Sequence, residues 1–255
     1  MKDRENVIYE GSIFTFKAND YREQSMRLEQ WERLGGGNFG DIFSVTLSVH
    51  QAMQGTLQDS DAIERVLKVF HIPENAQQAV RKHHFLQRYN FPLFSEYRED
   101  ASNRGCVLMP NGNCDGRVIV SWNKDSTAYE KIHDSRPLLP DAIATAQKSI
   151  FPYVNSASVF GFYIPASTYF FHVPSESTPD TDIRISFDDT DEVEECFRSR
   201  DICEFNVRGA EEALMALCTC GIEDSMQSTV AIRIQETCRQ WQERIAWEIK
   251  HVTDC

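Results

Sequence analysis

Residues 34–42 read L-G-G-G-N-F-G-D-I. Gly35, Gly37 and Gly40 stand in G-x-G-x-x-G spacing, with Gly36, Asn38 and Phe39 between them. A glycine-rich turn lets backbone amides approach phosphate oxygens, because no Cβ stands in the way. In a dinucleotide-binding fold such a turn opens a helix. Here Phe43, Val45, Leu47 and Val49 alternate with Ser44, Thr46 and Ser48, the period of a half-buried strand. The stretch predicts strand, glycine turn, strand, with the first strand running from about Trp31.

Outward from the turn, residues 51–61 are polar and read as a loop. Residues 63–70, I-E-R-V-L-K-V-F, read as the next strand. Lys68 is costly to bury there without an anionic partner, and a phosphate chain would supply one. An exposed edge-strand lysine is the plainer alternative, and the glycine turn upstream favours the phosphate-facing role. Residues 75–89 read as a helix that stops before Phe91-Pro92. Residues 106–109 form a short strand before Pro110, and the turn-rich 111–116 read as a hinge.

The run G-N-F-G-D-I-F followed by V-L-K-V resembles the nucleotide-binding lobe of the protein kinase superfamily, most closely its casein-kinase-one-like members. The resemblance implies an α+β, bilobal protein-kinase-like fold, with a β-rich amino-terminal lobe and a helical, shortened carboxy-terminal lobe. It divides the chain into an amino-terminal extension (residues 1–27, with a hairpin expected around Glu10-Gly11), an N-lobe (28–110) and a C-lobe (111–255). Carried over by motif, Gly35, Gly36, Gly37, Asn38, Phe39 and Gly40 form the phosphate loop. Ile42 and Val66 cover the adenine, Lys68 holds the α/β-phosphates, and Met109 belongs to the hinge. The implied cofactor is ATP. Val66 stands where the family usually has alanine, and its two extra methyls crowd the adenine roof at a typical overpacking cost of about 1–3 kcal/mol.

The catalytic acids of the family are missing. The helix at 77–89 reads Q-Q-A-V-R-K-H-H-F-L-Q-R-Y, without an acid, and the position of the family's lysine-pairing glutamate falls near Lys82. Glu74 serves only if the helix begins earlier. A helix at 140–154, disturbed at its end by Pro152, leads into G-F-Y-I-P-A-S-T, which resembles the run into a catalytic loop. Tyr163 then occupies the catalytic aspartate position and Thr168 that of the metal-binding asparagine. After strands at 169–173 and 182–187, Ser186-Phe187-Asp188 stands in place of D-F-G. A serine is a poor magnesium ligand, so Mg2+ binding falls to Asp188 and Asp189 under a shifted register, against the plain reading of a solvated acidic surface.

The implied function is that of a pseudokinase acting as a regulatory or protein-binding module. Two alternatives stand beside it. One is an atypical phosphotransferase with relocated acids drawn from Asp180, Asp182, Asp188 and Asp189. The other is a kinase-like scaffold that binds no nucleotide.

The 255 residues suffice for two lobes packed around a cleft. With 41% hydrophobic and 25% charged residues, the composition is that of a globular protein. The net charge of -13 argues against nucleic acid and favours a basic protein partner, such as an active kinase, although it also serves solubility alone. The polar start M-K-D-R-E-N-V is no secretory signal, and the longest apolar run is too short to span a bilayer. A cytoplasmic or nuclear location, without membrane association, is therefore expected, with the eight cysteines as reduced thiols. Cys218 and Cys220 make only a C-x-C, with Cys196 and Cys203 upstream and His83 and His84 distant, which is no zinc framework. The clearest helix is the last: Val230, Ile234, Cys238, Trp241, Ile245 and Ile249 form one apolar stripe, read as core-facing.

Overall fold

The computed structural model describes residues 11–17, 23–37, 39–49, 62–93, 98–100, 105–110, 118–121, 137–173, 183–187, 193–195 and 200–252. The chain is of mixed α+β type and divides into two compact units, residues 1–85 with 94–111, and residues 86–93 with 112–255.

The first unit is built on one antiparallel sheet. Strands β1 (Ile13–Lys17), β2 (Glu23–Gly36), β3 (Gly40–Val49), β4 (Ile63–Phe70), β5 (Arg98–Glu99) and β6 (Cys106–Pro110) lie in the order β1-β2-β3-β4-β6-β5. The sheet curls: an isolated bridge joins Phe16 of β1 to Asp100, just past β5, and the buried Asp100 carboxylate accepts from the Thr15 amide at 3.3 Å. Period-2 alternation then sorts the side chains. Phe14, Phe16, Met26, Leu28, Val45, Leu47, Leu67, Cys106 and Leu108 fill the inside of the curl. On the other face, Phe70 and Val107 pack against Ala76 and Ala79 of helix α1 (Pro73–Arg88).

Two expectations change here. Strand β1 pairs with β2, from Ile13 opposite Arg27 to Lys17 opposite Glu23, while residues 7–10 of the expected hairpin lie outside the described residues. Strand β2 begins at Glu23, eight residues before the alternation becomes readable. Irregularities between Leu28 and Gln30 and between Arg33 and Gly35 break its period, and only Met26 and Leu28 are buried along it.

The second unit pairs β7 (Val118–Ser121), β9 (Tyr169–Val173) and β10 (Arg184–Phe187) in the order β10-β9-β7. A two-stranded ribbon pairs β8 (Phe162–Tyr163) with β11 (Glu194–Glu195). Helices α2 (Pro140–Phe160), α3 (Arg200–Gly221) and α4 (Asp224–Val252) pack on one another. Helix α2 runs past Pro152 to Phe160. The proline is exposed, and Val154, Ala157 and Ser158 keep the helix buried along one face beyond it. It stops at Gly161, whose φ of 83° is the left-handed cap that glycine tolerates best. Phe187 is the hub of an aromatic cluster, with ring centroids 5.0 Å from Phe91, 5.3 Å from Tyr153 and 5.0 Å from Tyr169. The stripe of α4 faces the core as expected: Val230, Ile234, Cys238, Trp241 and Ile245 are buried.

Among the described residues, no helix is long and apolar enough to cross a membrane. Cys106, Cys203, Cys218, Cys220 and Cys238 are buried free thiols. Burial, with the Cys218 thiol nearby, pushes Cys220 up to about 12, and burial with Glu211 does the same for Cys238. Such thiols behave as small hydrophobes and carry no thiolate chemistry at neutral pH.

Candidate functional site

The glycine turn joins β2 to β3, and the sheet register aligns the sequence-predicted residues in rows. Gly35 pairs with Ile42, Ile42 with Lys68, and Lys68 with Val107. Directly opposed residues share a face of the sheet, so these four lie side by side. With strands about 4.8 Å apart, Gly35 and Lys68 are about 10 Å from one another. In the next row on that face, Ser44 pairs with Val66 and Val66 with Met109. Ile42, Val66 and Met109 are each only half-buried, and Met109 also packs against the Phe70, Ala76, Ala79 and Val107 cluster. Lys68 is 5% exposed, and its ammonium lies 5.2 Å from the centre of the Phe70 ring on the same face. A buried lysine of this kind draws on the ring quadrupole and on anionic partners.

The four glycines differ in what the fold asks of them. At Gly40 an added Cβ would collide with the Val69 carbonyl of the neighbouring strand β4, where Gly40 pairs with Phe70. At Gly36 it would collide with the Asp41 carboxylate, which pairs with Arg33 across the hairpin at 2.7 Å. At Gly35 and Gly37 no atom of the described residues lies within 4 Å of an added Cβ, and neither has a positive φ. Neither space nor backbone conformation calls for glycine at those two positions. The turn is held from outside by His71: its amide donates to the Phe39 carbonyl at 2.7 Å, and its ring Nε2 lies 3.1 Å from the Gly37 carbonyl. The Gly37 amide donates to the Gly40 carbonyl at 2.9 Å, so Gly37 offers a ligand space, and its own amide is engaged within the turn. Asn38 lies outside the described residues, as do the expected loop at 51–61 and the hinge at 111–116.

These contacts set a stability contrast. Gly40→Ala is expected to lose about 1–3 kcal/mol, since the backbone of β4 cannot yield. Gly37→Ala is expected to stay within about 0.5 kcal/mol of the parent. Paired denaturant melts check it, and equal losses would mean that the turn does not have this packing.

In α1 the buried stripe runs through Ala76, Ala79 and His83. Lys82, the position expected for the lysine-pairing acid, is only half-buried, and Glu74 is exposed in the first turn. His83 is therefore the side chain that α1 buries at this point. Burial, with the neighbouring His84 adding to it, lowers its pKa to about 4, so it is neutral at pH 7.

In the second unit, Tyr163 of β8 is half-buried, with its ring edge-on to Phe205 at 6.1 Å. Thr168 is fully buried in a short 3-10 turn, Ala166–Thr168. Ser186 sits within β10 and hydrogen-bonds the buried His172 ring Nε2 at 2.8 Å. Tyr169, next to Thr168, is wholly buried, and burial raises its phenol so that it stays protonated. Asp180, Asp182, Asp188 and Asp189 lie outside the described residues. Among the described residues, no group of three His, Cys, Asp or Glu side chains is placed to hold a metal ion.

The residue that organises the 162–166 segment is one the sequence reading passed over. Asn206, on α3, is fully buried. Its Oδ1 accepts from the Ile164 amide at 2.8 Å, and its Nδ2 donates to the Phe162 carbonyl at 2.9 Å and to Ser158 Oγ at 3.2 Å. One turn on, Gly209 lets α3 come against the same segment, where a Cβ would stand 2.8 Å from the Ile164 carbonyl. The available signal was an asparagine within a helical apolar stripe that includes Ile202, Cys203, Val207 and Ala210.

No protein-family model matches this chain, and no curated protein matches it.

Proposed function

We propose that this chain is a pseudokinase: a degenerate, bilobal protein-kinase-like protein that binds ATP on its glycine turn and acts as a regulatory, protein-binding module. The observation that carries the reading is Gly35, which no described neighbour requires to be glycine, with Lys68 buried on the same face two strands away and Gly37 following in the turn. Glycine without a structural demand leaves room for phosphate oxygens, and the lysine supplies their counter-charge. Ile42, Val66 and Met109 offer the apolar surface on which a purine would lie.

The same reading accounts for weak chemistry. Tyr163 and Thr168 replace a base and a metal-binding asparagine in the register of the resemblance, and neither offers a carboxylate. Ser186 is engaged with His172. Bound Mg2+ would supply charge neutralisation at the phosphates, and these three residues do not fit that group. No step of phosphoryl transfer is derived through them.

The test is a thermal melt with and without ATP, each with Mg2+ and with chelator. A ligand that binds only the folded state adds about 2.7 kcal/mol at one hundred times its dissociation constant. The expected result is stabilisation by ATP that survives the chelator and is lost in Lys68→Ala. Gly37→Ala, neutral in the unliganded protein, is expected to lose most of it as well. No shift with any nucleotide would overturn the reading in favour of a scaffold without nucleotide. Phosphoryl transfer at ordinary kinase rates, abolished by Lys68→Ala, would overturn it in the other direction.

A further inference from the structure

Helix α3 carries its polar face in an unusual form. Asp201, Glu204, Phe205, Arg208 and Glu212 recur at steps of three and four, which places them along one stripe. Asp201, Glu204, Phe205 and Arg208 are exposed, and Glu211 and Glu212 are half-exposed. Phe205, 53% exposed, stands in the middle of this charged stripe. Its ring meets Tyr163 edge-on, so the two aromatic side chains make one small platform. Glu194, exposed on β11, is the register partner of Tyr163 and adds a carboxylate beside it.

The charge around the platform is unbalanced. Arg208 is taken by Glu212, at 3.1 Å. Among the described residues, Asp201, Glu204 and Glu194 remain as an acidic rim. An aromatic platform inside an acidic rim is complementary to arginine. Its guanidinium stacks on ring faces and bonds carboxylates two hydrogens at a time, which lysine does less well. The net charge of -13 adds long-range attraction for the same kind of partner.

We infer that the exposed face of α3 around Phe205 is a docking surface for an arginine-bearing, basic segment of a partner protein. The inference rests on the protein-binding half of the proposed function and is independent of its nucleotide half.

The experiment titrates the full chain into a fluorescein-labelled peptide in which several arginines flank one leucine, and follows anisotropy. The same peptide with glutamate for arginine is the control. The expected result is saturable binding of the basic peptide only, weakening as salt rises. Phe205→Ala and Glu204→Lys should each weaken it about tenfold, the usual loss for an anchor residue. Phe205→Tyr, which keeps the ring, should bind like the parent. Should Phe205→Ala fail to fold, Glu204→Lys and Asp201→Asn at exposed positions give the same answer. ATP-induced stabilisation should be unchanged in all of these variants, and Lys68→Ala should leave peptide binding intact, so failure of one half of the function is distinguishable from failure of the other. No binding of the basic peptide, equal binding by parent and Glu204→Lys, or a dimer that Phe205→Ala dissociates would each overturn the inference.

Discussion

Asn206→Leu is expected to lower the melting temperature of the protein by about 10 °C. The substitution keeps the number and branching of the side chain's heavy atoms, replaces its two polar ends with bulkier methyls and so adds crowding to the loss of the hydrogen bonds. The Ile164 amide, now 2.8 Å from Oδ1, and the Phe162 carbonyl, now 2.9 Å from Nδ2, would be left inside the protein with no partner from α3. Asn206 is fully buried, as are Phe162 and Ile164, so water cannot replace it without opening the packing of α3. A hydrogen bond contributes about 1 kcal/mol net and a buried group left unsatisfied costs about 1–3 kcal/mol, so losing the three bonds of Asn206 places the loss at about 3 kcal/mol or more. At about 2–4 °C per kcal/mol for a protein of this size, that is the stated drop. Asn206→Asp separates geometry from polarity. An aspartate still accepts from Ile164, yet it turns a carboxylate oxygen toward the Phe162 carbonyl and buries a charge. It should therefore melt lower than the parent too. Scanning calorimetry of the three proteins decides it, and a leucine variant within about 2 °C of the parent would mean the network is not what holds residues 162–164.

Why the sequence announces some of these features and hides others follows from how each is stabilised. The glycine turn and β4 are legible because strict alternation from Phe43 to Val49 and the run I-E-R-V-L-K-V-F are local patterns. The stripe of α4 is legible for the same reason at helical spacing. Helix α3 is not, because its stripe is interrupted by Asn206 and Gly209, two poor helix formers whose presence is explained only by the segment they touch. Strand β2 is half hidden, since Gln24, Ser25, Arg27 and Glu29 surround its two buried residues and its partners come from β1 and β3. The row Gly35, Ile42, Lys68 was legible as a motif, whereas the freedom at Gly35 and Gly37, and its absence at Gly36 and Gly40, depend on Asp41 and Val69 across the hairpin. The one-residue choice between Lys82 and His83 depended on the rotation of α1, and counting from Pro92 does not fix a rotation to within 100°.

That rotation has a measurable consequence in the pH dependence of stability. His83 is 2% exposed, and burial followed by the charge of His84 lowers its pKa from 6.5 to about 4. A histidine whose pKa is depressed on folding binds its proton more readily in the unfolded chain. Above pH 6.5 both states are neutral and the residue contributes fully. As pH falls toward about 4 the unfolded state takes up the proton first, so stability declines across this window and the loss is complete below it. A shift of this size corresponds to about 3 kcal/mol. The expected result is therefore a fall in urea midpoint from pH 7.5 to pH 4.5 that is markedly steeper in the parent than in His83→Leu, which has no proton to bind at that site. The carboxylates, which titrate in both proteins, cancel in the comparison. Were the two proteins to lose stability in parallel, the ring would have to be solvated in the folded state. Helix α1 would then bury Lys82, and not His83, at this turn.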